Sequence, residues 1–193
     1  TIINNADKCL VYDEPIGGRE ITWKELQDWY DNGLYELDTG MDMVTFMRNS
    51  LVDSPMEQLF FDTYLEMTVG KEERIPALFP QVWLYYDPKL QKDRIKKIFE
   101  HQRMDFLMLF SESQRVVIEI DGVQHYADYV AGNKKHYASV DKYADMMAAQ
   151  REMSLAGYDV YRFGAKELYN PAIGKRKVCA FFDGLFSKYG ISV

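Results

Sequence analysis

Two apolar runs separated by a short polar break dominate the middle of the chain. Residues 103–110 and 115–121 are built from β-branched, aromatic and long aliphatic side chains, the composition of buried strands. Ser111, Glu112 and Ser113 between them fit a three-residue hairpin loop, so the two runs are expected to pair antiparallel. Upstream, Ser54 and Pro55 open a segment in which Met56, Leu59, Phe60, Phe61 and Tyr64 recur at helical spacing. Downstream, residues 139–156 carry Val140, Tyr143, Ala144, Met147 and Leu155 ahead of Gly157, which predicts a helix of about five turns that stops at the glycine. Residues 158–163 then read as a strand of the parallel type, reached by a right-handed crossover, and residues 178–189 as a closing amphipathic helix carrying Phe181, Phe182, Leu185 and Phe186. Residues 126–137, with Gly132, Asn133, Lys134 and Lys135, are expected to form a mobile loop. Near the start, Thr22 and Glu25 form a capping box for a short helix that ends at Asn32 and Gly33, and an acidic stretch leads to a second helical turn around Met43, Phe46 and Met47.

Acids interrupt this pattern where they are least expected. Asp105, Glu119 and Asp121 lie in the two apolar runs, and a carboxylate enters a buried strand at a large desolvation cost unless a cation or partner compensates it. A three-residue loop puts Asp105 directly opposite Glu119. Strand alternation puts Val117, Glu119 and Asp121 on one face and Val116, Ile118 and Ile120 on the other, apolar one. Three carboxylates on one side of a sheet suit a hard cation, Mg²⁺ or Mn²⁺, whose remaining positions are filled by water and substrate phosphate oxygens. Phosphodiester hydrolysis uses such a centre. The plainer alternative pairs Asp105 with Arg103 or Arg115 and lets Asp121 and Gly122 simply open a turn. Glu57 has two readings as well. It completes a capping box with Ser54, and it also sits on a helix side rich in bulky apolar groups, from which it could serve as a further ligand.

The order of these parts carries a resemblance: a helix with Glu57, a strand with Asp105, a strand running Glu119, Ile120, Asp121, Gly122, Val123, Gln124, His125, a long helix, and then Gly157, Tyr158, Asp159, Val160, Tyr161, Arg162, Phe163. It resembles the PD-(D/E)xK, or restriction-endonuclease-like, nuclease superfamily, and within it the Vsr-like group of bacterial DUF559-type domains. The likeness spans residues 54–168 or so. It implies an α/β fold with an αβββαβ core, a mixed central sheet flanked by helices, and a Mg²⁺- or Mn²⁺-dependent endonuclease activity. It also implies Asp105 and Glu119 as metal ligands, with the main-chain carbonyl of Ile120 as a further one. The superfamily signature places a lysine two residues after the second acid, and here that position is Asp121. An acid cannot orient the attacking water as a lysine does, so Gln124, His125, Lys142 or Arg151 would have to supply the donor, or a second ion held by Asp121 would replace it. Asp105, Glu119, Asp121, Gln124 and His125 are therefore the candidate catalytic set. Arg162 is open between facing phosphate and bracing the acids.

Composition adjusts this picture in one respect. The chain of 193 residues is 47% hydrophobic and carries a net charge of −7, which at first argues against a polyanionic substrate. The charge is divided, however. Residues 1–73 hold 16 acids against 5 bases, whereas residues 74–193 hold 18 bases against 14 acids. The basic part, residues 74–193, makes up most of the expected nuclease domain, residues 54–193, and the acidic residues 1–53 form a helical extension that packs on it or links to a missing N-terminal domain or partner. Lys89, Lys92, Lys96, Lys97 and Arg103 precede the Asp105 strand, where a phosphate backbone would have to lie, and Lys134, Lys135 and Arg151 are further candidates for nucleic-acid contact. DNA is the expected substrate. The alternative from another class is a catalytically silent nucleic-acid-binding or protein-interaction module on the same fold. Cys9 and Cys179 have no metal-binding spacing, which together with the lack of a membrane-length apolar run leads to the expectation of a cytoplasmic protein with free thiols.

Overall fold

The computed structural model describes residues 12, 14, 18–32, 42–83, 103–132 and 134–192. Helix α1 spans Trp23–Asn32, α2 Met43–Asn49 and α3 Pro55–Thr68; strand β1 spans Phe79–Trp83, β2 Arg103–Leu109 and β3 Arg115–Asp121. A hairpin follows, β4 (Ala127–Val130) and β5 (Lys135–Ala138), then α4 (Val140–Leu155), β6 (Tyr158–Gly164) and α5 (Pro171–Tyr189). The fold is α/β. Its main sheet has four strands in the order β1-β2-β3-β6, and it is mixed, because β1/β2 and β2/β3 are antiparallel while β3/β6 is parallel. Among the described residues, no helix is long and apolar enough to cross a membrane.

The expected hairpin register is the observed one. Phe106 pairs with Ile118 and Leu107 with Val117, and the Phe110 N–H donates to the Gln114 carbonyl to close a loop of Ser111, Glu112 and Ser113. The Thr22 and Glu25 capping box also forms, with the Glu25 N–H donating to Thr22 Oγ1 and the Thr22 N–H to Glu25 Oε2. Helix α4 occupies the expected residues, and Gly157, at φ +90°, makes the left-handed turn from it into β6.

Three expectations are corrected. Residues 126–137 are not a loop but contain the β4–β5 ribbon, in which Ala127 pairs with Ala138 and Val130 with Lys135. Helix α5 begins at Pro171, about two turns before residue 178, because Asn170 Oδ1 caps the Ile173 N–H and proline favours the first helical position. Ser54 makes no side-chain cap at α3, so the Ser54/Glu57 capping box is absent. Strand β1 was not marked by periodicity. Pro80 lies inside it, which an edge strand tolerates because one of its sides has no ladder to complete.

The core forms where α3 and α5 meet the sheet. The ring of Phe60 lies 5.2 Å from that of Phe106 on β2, 5.2 Å from Phe163 on β6 and 5.4 Å from Phe182 on α5. The rings of Tyr64 and Phe182 lie 4.3 Å apart, tilted by 44°, and the Tyr64 hydroxyl donates to the Pro76 carbonyl. Gly174 lets the two helices approach, since a Cβ there would sit 3.0 Å from Leu59 and 3.2 Å from the Leu168 backbone. Trp23 and Leu26 of α1 and Met43 and Met47 of α2 belong to the same buried cluster. This packing fixes the α3 N-terminus over one end of β2.

Phe60 touches three elements at once and is wholly buried. Phe60→Ala is expected to lower unfolding free energy by about 3–5 kcal/mol, the usual loss for a large aromatic that leaves a cavity. Urea denaturation followed by circular dichroism measures it; a loss below about 1 kcal/mol would show that the cluster does not hold the sheet to the helices.

Candidate functional site

Strands β2 and β3 are buried on both faces along nearly their whole length, so each acid in them is held away from water by its neighbours. Asp105 is 9% exposed, Glu119 6% and Asp121 8%. Continuing the ladder from Phe106 and Ile118 by one step brings Asp105 beside Glu119, on the face opposite Phe106 and Ile118. Asp105 Oδ2 accepts from the Ile120 N–H at 2.8 Å, which ties it to β3 at the point where the strand carries the second and third acids. Glu119 Oε1 is buried and has no hydrogen-bond partner. On the other side, β6 pairs Arg162 with Glu119 in register, so the guanidinium rises from the same face.

Arg162 does not bond to Glu119. It makes a two-pronged ion pair with Asp121, Nε to Oδ2 at 2.7 Å and a second nitrogen to Oδ1 at 2.5 Å. This geometry leaves Asp121 saturated by a partner whose side chain is 16% exposed. Of its two open readings, Arg162 braces the acids. Glu57, freed from the helix cap, accepts a hydrogen bond from the side-chain amide of Gln81. Gln81 lies on β1 between residues paired with Phe106 and Met104, and it holds a left-handed backbone, φ 53°, that non-glycine residues rarely adopt. Such a conformation persists only where the surroundings fix it.

The electrostatics follow from this arrangement. Burial, then the neighbouring Asp105 charge, pushes the Glu119 carboxyl up to about 8. Burial likewise raises Asp105 to about 6, with the Ile120 N–H opposing and the Glu57 and Asp121 charges adding to the rise. Four acids thus share a region with the Arg162 guanidinium, which is bonded to Asp121, and with Arg103 at the exposed start of β2, whose charge partly offsets the rise of Asp105. The remaining charge must be met by protons or by a cation.

Among the described residues, no three His, Cys, Asp or Glu side chains converge on one ion position. Asp121 faces Arg162 and Glu57 faces Gln81, which leaves Asp105 and Glu119 as the facing pair. Mg²⁺ is commonly held by one or two carboxylates with water and phosphate oxygens in the other positions, so a pair is a sufficient protein contribution. The orphaned Glu119 oxygen fits that role. Ile120 brings its main chain to the same place through the bond to Asp105.

The other candidates lie around this pair. His125 sits on a 3-10 turn, Val123–His125, with Nδ1 3.8 Å from Asp121 Oδ1 and its side chain 41% exposed. Gln124 is exposed, and its amide folds back over Gly122, where a Cβ would collide with it. Lys142 is committed elsewhere: it donates to the Ala127 carbonyl at 2.7 Å and pairs with Asp128 at 2.9 Å, so it does not serve the acids. Arg151 is exposed on α4, Arg103 is exposed at the start of β2, and Lys134 and Lys135 are exposed at the turn of the β4–β5 ribbon. Lys89, Lys92, Lys96 and Lys97 lie outside the described residues, as does Cys9. Arg115 bonds the Glu112 carbonyl and lies over the Tyr158 ring, which removes it as a partner for Asp105. Sequence reading gave no role to Gln81. Its only signal was a polar residue beside a proline in an apolar run.

Comparison with protein-family models, with curated proteins and with solved structures finds no match to this chain.

The raised Glu119 carboxyl makes stability depend on pH in a definite direction. Between its unfolded value of 4.5 and about 8, the folded chain holds a proton that the unfolded chain has released, so stability falls as pH rises through that window. Glu119→Gln keeps the shape and cannot ionise. In EDTA the variant is expected to lose less stability than wild type between pH 5 and 8.5, and to exceed it at pH 8.5 by on the order of 2 kcal/mol. Denaturant midpoints at the two pH values measure this; parallel pH profiles for the two proteins would mean that Glu119 titrates normally.

Proposed function

We propose that this protein is a metal-dependent nuclease with a restriction-endonuclease-like core, hydrolysing phosphodiester bonds in DNA. One observation carries the reading: Asp105 and Glu119, from adjacent antiparallel strands, meet on one face with a buried carboxylate oxygen left without a partner. The element order supports it. Counted without the β4–β5 ribbon, the chain runs α3, β1, β2, β3, α4, β6, which is the αβββαβ succession of that superfamily. The shared end of β2 and β3 is where its acids would be expected.

In this reading Asp105 and Glu119 hold Mg²⁺ or Mn²⁺, with the Ile120 main chain beside them. The ion, when bound, supplies an activated water and charge stabilisation at the scissile phosphate. The chain's own groups do the rest. Asp105 is oriented by the Ile120 N–H, so its second oxygen is available to a ligand. Arg162 cancels Asp121, which stands where the superfamily has lysine, so that Asp121 adds no net charge beside Glu119. His125 and Gln124, exposed just past the acids, are the groups within the candidate set that can exchange protons or hydrogen bonds with a substrate entering from solvent.

A second reading has one observation in its favour. Because Asp121 is ion-paired rather than replaced by a free cation, a silent nucleic-acid-binding module on the same fold explains the Arg162 bond without any hydrolysis. The two readings differ in what the acids do.

Plasmid nicking in Mg²⁺ and in Mn²⁺ decides between them. Asp105→Ala and Glu119→Ala are each expected to reduce cleavage on the order of a hundredfold or more while circular dichroism stays that of wild type. Mn²⁺ is expected to raise the melting temperature of the wild type and not of the double variant. Wild-type protein that neither cuts nor gains stability from either ion would overturn the nuclease reading in favour of the silent module.

A further inference from the structure

The β4–β5 ribbon leaves the protein directly beside the acids. Four residues separate Asp121 from Tyr126, and the 3-10 turn between them packs against β4. Four-residue strands alone make a marginal hairpin. This one is anchored at its base: Lys142 of α4 bonds both the Ala127 carbonyl and Asp128, and the Ser139 N–H donates to the Tyr126 carbonyl. Beyond Ala127, the ribbon is exposed on both faces.

What it exposes is unusual for a surface ribbon. Tyr129 is 57% exposed, and its ring lies 5.1 Å from that of His136, directly across the strands. Val130 and Tyr137 are exposed on the opposite face, and Tyr126 at the base. An exposed group of aromatic and β-branched residues of this kind marks a binding surface more often than an accident of folding. Charge indicates the partner. The ribbon's single acid, Asp128, is taken up by Lys142, while the turn carries Lys134, with Lys135 next to it on the face opposite Tyr129 and His136. Flat aromatic faces with a lysine at the tip match a polymer that offers stacked rings and a negative backbone.

We propose that the β4–β5 ribbon is the strand-holding element of the protein: Tyr129 and His136 form a stacking platform for the bases of an unpaired nucleic-acid strand, and Lys134 at the turn contacts its phosphates. This rests on the nuclease reading for its choice of polymer, and it deepens that reading by naming a single-stranded or locally opened substrate. A duplex keeps its bases stacked on each other, so it has no free ring faces to give the platform. An unpaired strand has one at every base, and stacking on an aromatic side chain does not depend on sequence. The ribbon's position places such a strand beside Asp105 and Glu119.

The test is binding in EDTA, where cutting is suppressed, with a fluorescein-labelled oligo(dT) and with the same strand paired to oligo(dA), read by fluorescence anisotropy. Tyr129→Ala/His136→Ala is expected to weaken oligo(dT) binding by on the order of tenfold or more, with much less effect on the duplex, and Tyr129→Phe alone to retain it. Lys134→Gln is expected to make the slope of log affinity against log salt shallower by about 0.7. Thermal unfolding of each variant checks that the core is intact, as the exposed positions predict. Unchanged oligo(dT) affinity in the aromatic variant, or an equal loss for the duplex, overturns the proposal. Asp105→Ala/Glu119→Ala is measured in the same assay: strand binding without cutting leaves the ribbon standing, and cutting that survives loss of the ribbon leaves the acid pair standing.

Discussion

Two carboxylates kept from water on neighbouring strands are the constraint around which the rest of this structure is arranged. Removing one carboxylate from water already costs several kcal/mol, and setting a second beside it adds repulsion that the low-dielectric interior does little to screen. Every element near the pair answers some part of that difficulty. The β3 backbone donates to Asp105, β6 supplies Arg162, α3 and β1 hold Glu57 and Gln81 against each other, and the raised Glu119 carboxyl takes what is left. The fold's contribution is rigidity. The β2–β3 ladder and the Phe60 cluster beneath it prevent the acids from simply swinging apart into solvent.

How much of this could be read from residues alone depended on sequence distance. The β2–β3 hairpin was legible because its register is set by a three-residue loop and a period of two, both local, and that was enough to bring Asp105 to Glu119. Helix α4 and strand β6 were legible for the same reason, with Gly157 punctuating between them. The first turns of α5 were missed because the apolar stripe that signals the helix starts later than its Asn170 and Pro171 cap. The β4–β5 ribbon reads as a loop in the sequence because its strands are short and face solvent on both sides, so no in-out alternation marks them. Strand β1 was hidden by Pro80.

Partnerships between distant side chains were the least legible part. Arg162 lies 41 residues from Asp121, and only the parallel pairing of β3 with β6 reveals that they meet. The Ser54 and Glu57 spacing satisfied every local requirement of a capping box, yet the tertiary contact with Gln81 won. Local motif chemistry offers about 1 kcal/mol at a helix end, and a buried carboxylate with an amide donor in reach gains at least as much by turning inward. Sequence spacing can nominate a cap, but it does not see the competitor.

The Asp121–Arg162 pair bears on why the acids are present at all. A buried ion pair is commonly replaceable by well-packed apolar residues with no loss of stability, and often with a gain. The surrounding faces already supply valine, isoleucine and phenylalanine, so an apolar Asp105, Glu119 and Asp121 would suit the strands better than the acids do. Stability therefore does not account for them. Arg162 itself would have no buried partner if Asp121 were apolar, which means the pair stands or falls together and acts as one device. Its effect is to neutralise the Asp121 charge next to Glu119 without placing a free lysine in the strand. A lysine at position 121 would be adjustable and could leave; a guanidinium held by two bonds is fixed in place. In the proposed nuclease this pair would keep Asp121 from adding to the negative potential that a phosphate must approach, while the orphaned Glu119 oxygen stays open to an ion.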